Sequence, residues 1–154
     1  MSLTFHQITL ADVAKLMPIE SACHSHPWNE KTFKSCIGGR YFGQFSTLNA
    51  PSKNADIIGF YIGEHVAGEG TLMDICVPPE HQGKGYGKAL LLSFFQQCEQ
   101  LLLTKVHLEV RAKNISAQML YINQGFIEVG RRSGYYPSAT GFGYEDAIVM
   151  TKTL

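Results

Sequence analysis

The stretch Val77-Pro78-Pro79-Glu80-His81-Gln82-Gly83-Lys84-Gly85-Tyr86-Gly87-Lys88 joins an apolar segment to a long amphipathic one, and its reading decides the fold. A glycine-rich turn that opens a helix presents unpaired backbone N–H groups at the positive end of the helix dipole, where phosphate binds well. Glycine there removes the side chains that would hold a ligand away from those donors. Lys84 and Lys88 add full charges beside them. Spacing excludes two phosphate loops. A Walker A loop ends in Gly-Lys-Ser/Thr, but Gly87-Lys88 is followed by Ala89, and the position five before Gly87 is Gln82. A Rossmann fingerprint needs a third glycine where this chain has Lys88. What remains is Gln-x-x-Gly-x-Gly, which is either a phosphate cradle or a plain solvent turn.

Working outward, the segments before the turn read as helix, helix, strand, strand, strand. Thr9-Leu10-Ala11-Asp12 has the polar cap of a helix start, and that helix is expected to end near Ala22. Asn29 predicts the cap of a short second helix through Cys36, stopped by Gly38-Gly39. Strands are expected at 41–48, 56–66 and 69–77, with a turn-rich loop at 49–54. After the turn, Leu91, Phe94, Phe95, Cys98, Leu101 and Leu102 recur at helical spacing and give one apolar face. A strand at 106–111 alternates strictly, a helix at 114–124 meets Gly125 as a left-handed C-cap, and strands near 127–135 and 144–151 follow. With a first strand at the N-terminus, the order β-α-α-β-β-β-α-β-α-β-β predicts an α/β fold, a mixed sheet with helices packed against it.

Bulk properties narrow the function classes. A chain of 154 residues, 45% hydrophobic and 17% charged, fits a single globular domain spanning 1–154. Thirteen basic and thirteen acidic side chains cancel, so no broad field marks a nucleic-acid binder. No apolar run is long enough for a membrane span, and the N-terminus lacks signal-peptide features, so a cytoplasmic protein is expected. Cys23, Cys36, Cys76 and Cys98 include no Cys-x-x-Cys pair and are expected as reduced thiols. Cys23-His24-Ser25-His26 contains possible ligands, but it is far from zinc-finger spacing, and no metal is expected.

Three residue types could carry chemistry. On the strand at 106–111, Val106, Leu108 and Val110 share one face, and His107, Glu109 and Arg111 the other. Glu109 then lies on a solvated face, or pairs with Arg111, or is a general base on a rigid element. Tyr121 shares a helix face with Ala117 and Leu120. It is a core residue, or a phenol that gives a proton to a departing thiolate. Asn114 reads as a helix N-cap, and a cofactor contact at the same helix entry is compatible with that.

Gln82-Gly83-Lys84-Gly85-Tyr86-Gly87 resembles the pyrophosphate loop of the GNAT acyl-coenzyme A N-acetyltransferases. Leu108-Glu109-Val110-Arg111-Ala112-Lys113-Asn114, with Ala117, Leu120-Tyr121 and Gly125-Phe126, resembles a second block of the same family. Cys23 to Trp28 with Phe33, then Tyr135-Tyr136-Pro137 and Glu145 to Met150, are similar to the branch that acetylates the N-terminal alanine of a bacterial small-subunit ribosomal protein. The resemblance keeps its order from about residue 20 to 150. It implies a central mixed sheet of six or seven strands with about four helices, and acetyl-coenzyme A as donor without a metal. It also implies Glu109 as general base and Tyr121 as general acid. Ile75, Cys76 and Val77 match the strand that pairs with the pantetheine arm. Gly83, Lys84, Gly85, Tyr86, Gly87 and Lys88 match the pyrophosphate loop, and Asn114 matches a cofactor contact. Trp28, Glu69, Tyr135 and Tyr136 fall in segments that border the peptide groove in relatives.

The chemistry this implies is direct transfer, with no acyl-enzyme. A chain-terminal α-ammonium has a pKa near ~8, below lysine at ~10.4, so a carboxylate or water can deprotonate it. Backbone donors near Val77 could hold the oxyanion. The partner implied is a protein N-terminus of ribosomal origin, met by a monomer or weak dimer with no nucleic acid or membrane involved. Acetylation of a lysine or small-molecule amine, and a non-catalytic acetyl-coenzyme A-binding partner, stand as alternatives. The family's Asp-Glu-Ala-Thr-Leu is here Gly68-Glu69-Gly70-Thr71-Leu72, and its Arg-Ala-Ser-Asn is Arg111-Ala112-Lys113-Asn114. Its short Gly-Arg-Glu-Asp link is replaced by a longer Gly141-Phe142-Gly143-Tyr144 loop without the arginine, which bears on peptide preference.

Overall fold

The computed structural model describes residues 2–48 and 56–154. The loop expected at 49–54 lies outside the described residues. Seven strands form one sheet in the order β1-β2-β3-β4-β5-β7-β6. They are β1 (Leu3–Gln7), β2 (Tyr41–Leu48), β3 (Ile57–Val66), β4 (Glu69–Cys76), β5 (Lys105–Arg111), β6 (Ile127–Pro137) and β7 (Tyr144–Thr153). Every neighbouring pair is antiparallel except β4 and β5. Parallel neighbours need a crossover, and α3 (Tyr86–Gln100) supplies it. The other helices are α1 (Val13–Cys23), α2 (Glu30–Ser35) and α4 (Ile115–Asn123).

The elements form where local chemistry starts and stops them. The backbone N–H of Thr9 donates to Asp12 Oδ2 at 2.8 Å, and a single 3-10 turn (Leu10–Asp12) leads into α1. Asn29 Oδ1 accepts from the Thr32 N–H at 2.8 Å and starts α2. α3 stops sooner than its apolar spacing predicts. Leu102 takes a left-handed φ of 58° and is 83% exposed, so Leu101 and Leu102 fall outside the helix instead of extending its buried face. Gly125 has φ of 96°, as a C-cap in the left-handed region requires.

The sheet separates two cores. On one face α3 and α4 bury Leu90, Leu91, Phe94 and Tyr121 against Tyr61, Leu72, Val106, Leu108 and Val110. On the other, α1 and α2 bury Val13, Leu16 and Phe33 against Phe45, Phe60, Ile62 and Cys76. The Tyr61 hydroxyl lies 2.8 Å from Gln97 Oε1 and 3.0 Å from Ser93 Oγ, which fixes α3 on the sheet.

β4 changes face midway. Leu72 pairs with Gly63 and Asp74 with Ile62, so Met73 is an extra residue in this strand. Such a bulge bends the strand and shifts its side-chain phase. Leu72 therefore faces α3, whereas Asp74 and Cys76 face α1, and Ile75 and Val77 pack on the α3 side. Ladder pairing between β4 and β5 covers only Glu69–Thr71 against Lys105–His107, and beyond it the two strands part. Gly70 sits at the joined end. A Cβ there would meet Leu103 Cδ1 at 2.9 Å and Val106 Cγ1 at 3.2 Å, which accounts for glycine at that position.

Candidate active site

The parting of β4 and β5 opens a cleft of ≈ 870 Å3. Ile75, Cys76 and Val77 line one side and Leu108 to Arg111 the other. The strand edges that face each other there are not paired in the ladder. The glycine turn closes one end. Gln82 Nε2 donates to the Val77 carbonyl at 2.9 Å, tying the turn to the end of the strand. Gly83 and Gly85 hold φ of 76° and 84°, and among the described residues no heavy atom beyond their own local backbone lies within 4 Å of a Cβ built on either. Both features suit glycine, one by conformation and the other by leaving open approach to the backbone. No side chain caps α3 at Gly85, so the first amides of a 15-residue helix face the cleft mouth. This turn and the open strand edges fit the pyrophosphate and amide-bearing arm of an acyl carrier.

Gly83, Gly85, Tyr86, Gly87, Asn114, Trp28, Glu109, Tyr121 and Tyr136 all line the same cleft. Lys84 and Lys88 stand exposed on the turn and the helix, outside the lining. Asn114 caps α4, accepting from the Ala117 N–H at 3.2 Å. Tyr121 is 6% exposed, and among the described residues its hydroxyl has no hydrogen-bond partner. Burial pushes its pKa well above the phenol's ordinary value, so it stays protonated at neutral pH. Glu109 does not pair with Arg111. Arg132 Nε of β6 lies 2.7 Å from Glu109 Oε1, while Arg111 lies 2.8 Å from Glu145 Oε1 and donates to the Pro137 carbonyl at 2.7 Å. Successive residues on one strand face share a direction but not partners, and β6 and β7 bring other groups closer.

Two of the expected groove residues lie elsewhere. Glu69 is at the joined end of β4, far along the strand from Cys76, and pairs with His107 Nε2 at 2.6 Å. Tyr135 is half exposed, stands edge-on to Tyr136 at 5.0 Å, and carries Arg132 over its ring at 5.3 Å.

A cluster that was not expected lines the α1 side of the cleft. Asp74 Oδ1 lies 2.9 Å from His24 Nε2. Cys76 Sγ lies 3.2 Å from that nitrogen and 3.4 Å from Glu20 Oε1. The other Glu20 oxygen accepts the backbone N–H of Trp28 at 2.9 Å. Burial, then the neighbouring Asp74, pushes the Glu20 carboxyl up to about 8. Burial opposes charge on His24, but the hydrogen bond and charge of Asp74 outweigh it and raise the imidazole to about 9. His24 could be noticed in the sequence as one of a His-x-His pair, but nothing in the sequence points to Asp74. Its placement depends on the bulge.

A cleft between parting parallel strands, with a glycine turn at an uncapped helix start, defines a carrier-dependent acyltransferase. The acetyltransferase (GNAT) family matches residues 13–126 of the chain. The chain is 37% identical over 147 residues to the ribosomal protein bS18-alanine N-acetyltransferase of Escherichia coli K12, covering 96% of this chain and 95% of that protein. It is 41% identical over 145 residues to the Haemophilus influenzae protein of the same description, covering 94% of each. The crystal structure of the E. coli ribosomal-protein-S18-alanine N-acetyltransferase superposes with a TM-score of 0.89 at 36% identity, over 99% of this chain and 94% of that one. The chain belongs to the acetyltransferase (GNAT) family, and its acetyl donor is acetyl-coenzyme A. The expected mixed sheet with four helices is the fold observed.

Proposed function

We propose that the chain acetylates the α-amino group of an N-terminal alanine on a small-subunit ribosomal protein, the counterpart of bS18, in the cytoplasm where ribosomes assemble. Near-complete alignment with the bS18-alanine acetyltransferases carries this reading. Residues 1–154 act as one catalytic domain.

The arrangement of side chains supports a direct transfer. Glu109 removes a proton from the incoming α-ammonium, itself or through a water, and the amine then attacks the thioester carbonyl. Arg132 holds the Glu109 carboxylate in place beside the cleft. Amides at the end of β4 near Val77 take the developing oxyanion. The tetrahedral adduct collapses with cleavage of the C–S bond as Tyr121 gives its proton to the leaving sulfur, and the second N–H proton of the bound amine leaves through water, which restores the phenol. Gly83 to Gly87 and the first turn of α3 hold the pyrophosphate, with Lys84 and Lys88 outside. Trp28 and Tyr136 border the acceptor entrance.

A peptide panel tests this. Peptides beginning with Ala are expected to release coenzyme A thiol, and the same peptides with a blocked N-terminus and a free internal lysine are not. Turnover confined to the lysine peptides would reassign the acceptor, and donor binding without turnover on any amine would leave only a binding protein.

A further inference from the structure

Four donor atoms of different chemistry converge at one point beside the acetyl-transfer cleft. Glu20 lies on α1 and His24 caps its C-terminal end, one turn later. Asp74 and Cys76 are alternate residues of β4 beyond the Met73 bulge. One ligand atom from each residue lies within 4.8 Å of all the others. The resolved separations are 2.9 Å from His24 Nε2 to Asp74 Oδ1, 3.2 Å from His24 Nε2 to Cys76 Sγ, and 3.5 Å from His24 Nε2 to Glu20 Oε1. Cys76 Sγ lies 3.4 Å from both Glu20 Oε1 and Asp74 Oδ1. A tetrahedral zinc ion with bonds of ~2.0 Å to nitrogen or oxygen and ~2.3 Å to sulfur spaces its ligands by roughly 3.3–3.7 Å. Those five separations lie within about 0.4 Å of that spacing, and the remaining pair, Glu20 and Asp74, lies within 4.8 Å.

A second observation also calls for a cation. Asp74 Oδ2 is buried and, among the described residues, has no hydrogen-bond partner, on a side chain only 4% exposed. An anionic oxygen taken out of water without a donor carries the full desolvation penalty. The outer contacts are those of a metal site. Trp28 N–H holds Glu20 Oε2 and leaves Oε1 turned toward the other three atoms. One sulfur, one imidazole nitrogen and two carboxylates form a borderline set that suits zinc and disfavours magnesium or calcium.

We propose that Glu20, His24, Asp74 and Cys76 bind one divalent ion of the zinc class, clamping the C-terminal end of α1 to β4. Protons on Cys76 Sγ, His24 Nε2 and the Glu20 carboxyl pass to solvent as the metal bonds replace them. Acetyl transfer does not call for this ion, and the clamp is independent of which amine is acetylated. Its effect is on the shape of the cleft, because the segment from His24 to Trp28 lines one wall.

Cobalt(II) is the probe. The full-length protein, stripped with a chelator and titrated with cobalt, is expected to bind one equivalent with visible tetrahedral d–d bands and a near-ultraviolet thiolate-to-cobalt band, both displaced by zinc. Cys76→Ser is expected to abolish the thiolate band, Asp74→Asn to weaken affinity by ~10–100-fold, and His26→Ala to leave binding unchanged. No thiolate band for the unaltered protein in excess cobalt overturns the proposal, as does a band that survives Cys76→Ser. The unaltered protein gives a decisive answer even if a variant fails to fold.

Discussion

In the proposed transfer, Glu109 and Tyr121 make opposite demands on their surroundings. The carboxylate has to accept a proton and sits partly open beside Arg132, while the phenol has to keep one and is buried. Glu109→Gln is expected to lower kcat by ~10²–10⁴, most strongly at the acid end of the pH profile, measured by thiol release. Tyr121→Phe is expected to lower kcat over the same range while donor affinity stays within about twofold, since the ring still fills its place. Normal turnover in either variant removes that residue from the reaction. Glu109 was legible in the sequence because strict alternation on a strand fixes which side chains share a face. Its partner was not. Arg132 reaches Glu109 across β7, and β6 pairs with β7 through register shifts at 128–130 and 132–136 that no local pattern encodes.

At the scale of elements, β5, β6 and β7 are locked by Arg111. Its guanidinium spans Glu145 of β7 and the Pro137 carbonyl of β6, and lies 4.6 Å over the ring of Tyr136. Arg111→Ala leaves a buried carboxylate with only the Lys113 N–H, and is expected to reduce stability by about 2 kcal/mol in denaturant titration. Burial works to raise the Glu145 pKa, but Arg111 and the Lys113 N–H overcome it and hold it below its ordinary 4.5. Such a group contributes stability that is fully present above pH 4.5 and is lost as pH falls through the folded value. Unfolding curves below that pH are expected to fall less steeply for Glu145→Gln than for the unaltered protein. The glycine turn gives a separate test. Gly85→Ala meets no neighbouring atom, so it should cost about 1 kcal/mol through its positive φ. It should also raise the donor KM by roughly tenfold, the equivalent of ~1.4 kcal/mol of lost backbone approach. Helices, strands and this turn were readable because caps, glycines and periodicity are local signals. The bulge at Met73 was not, because a period-two pattern does not show where one residue is skipped.

Across the whole molecule, one sheet holds two cores apart, and its two halves join edge to edge through only three residue pairs of β4 and β5. Most sheets leave their unpaired edges at the outer strands. Here β4 beyond Thr71 is also an edge, turned inward on the cleft. The amides of Asp74 to Val77 that point toward β5 are therefore expected to exchange with deuterium orders of magnitude faster than those of β3, which is paired on both sides. Adding coenzyme A should slow them, and exchange as slow as in β3 before any ligand is added would contradict an open gap. Water is expected to reach the backbone in the middle of this protein, at the strand end where the donor is expected to dock.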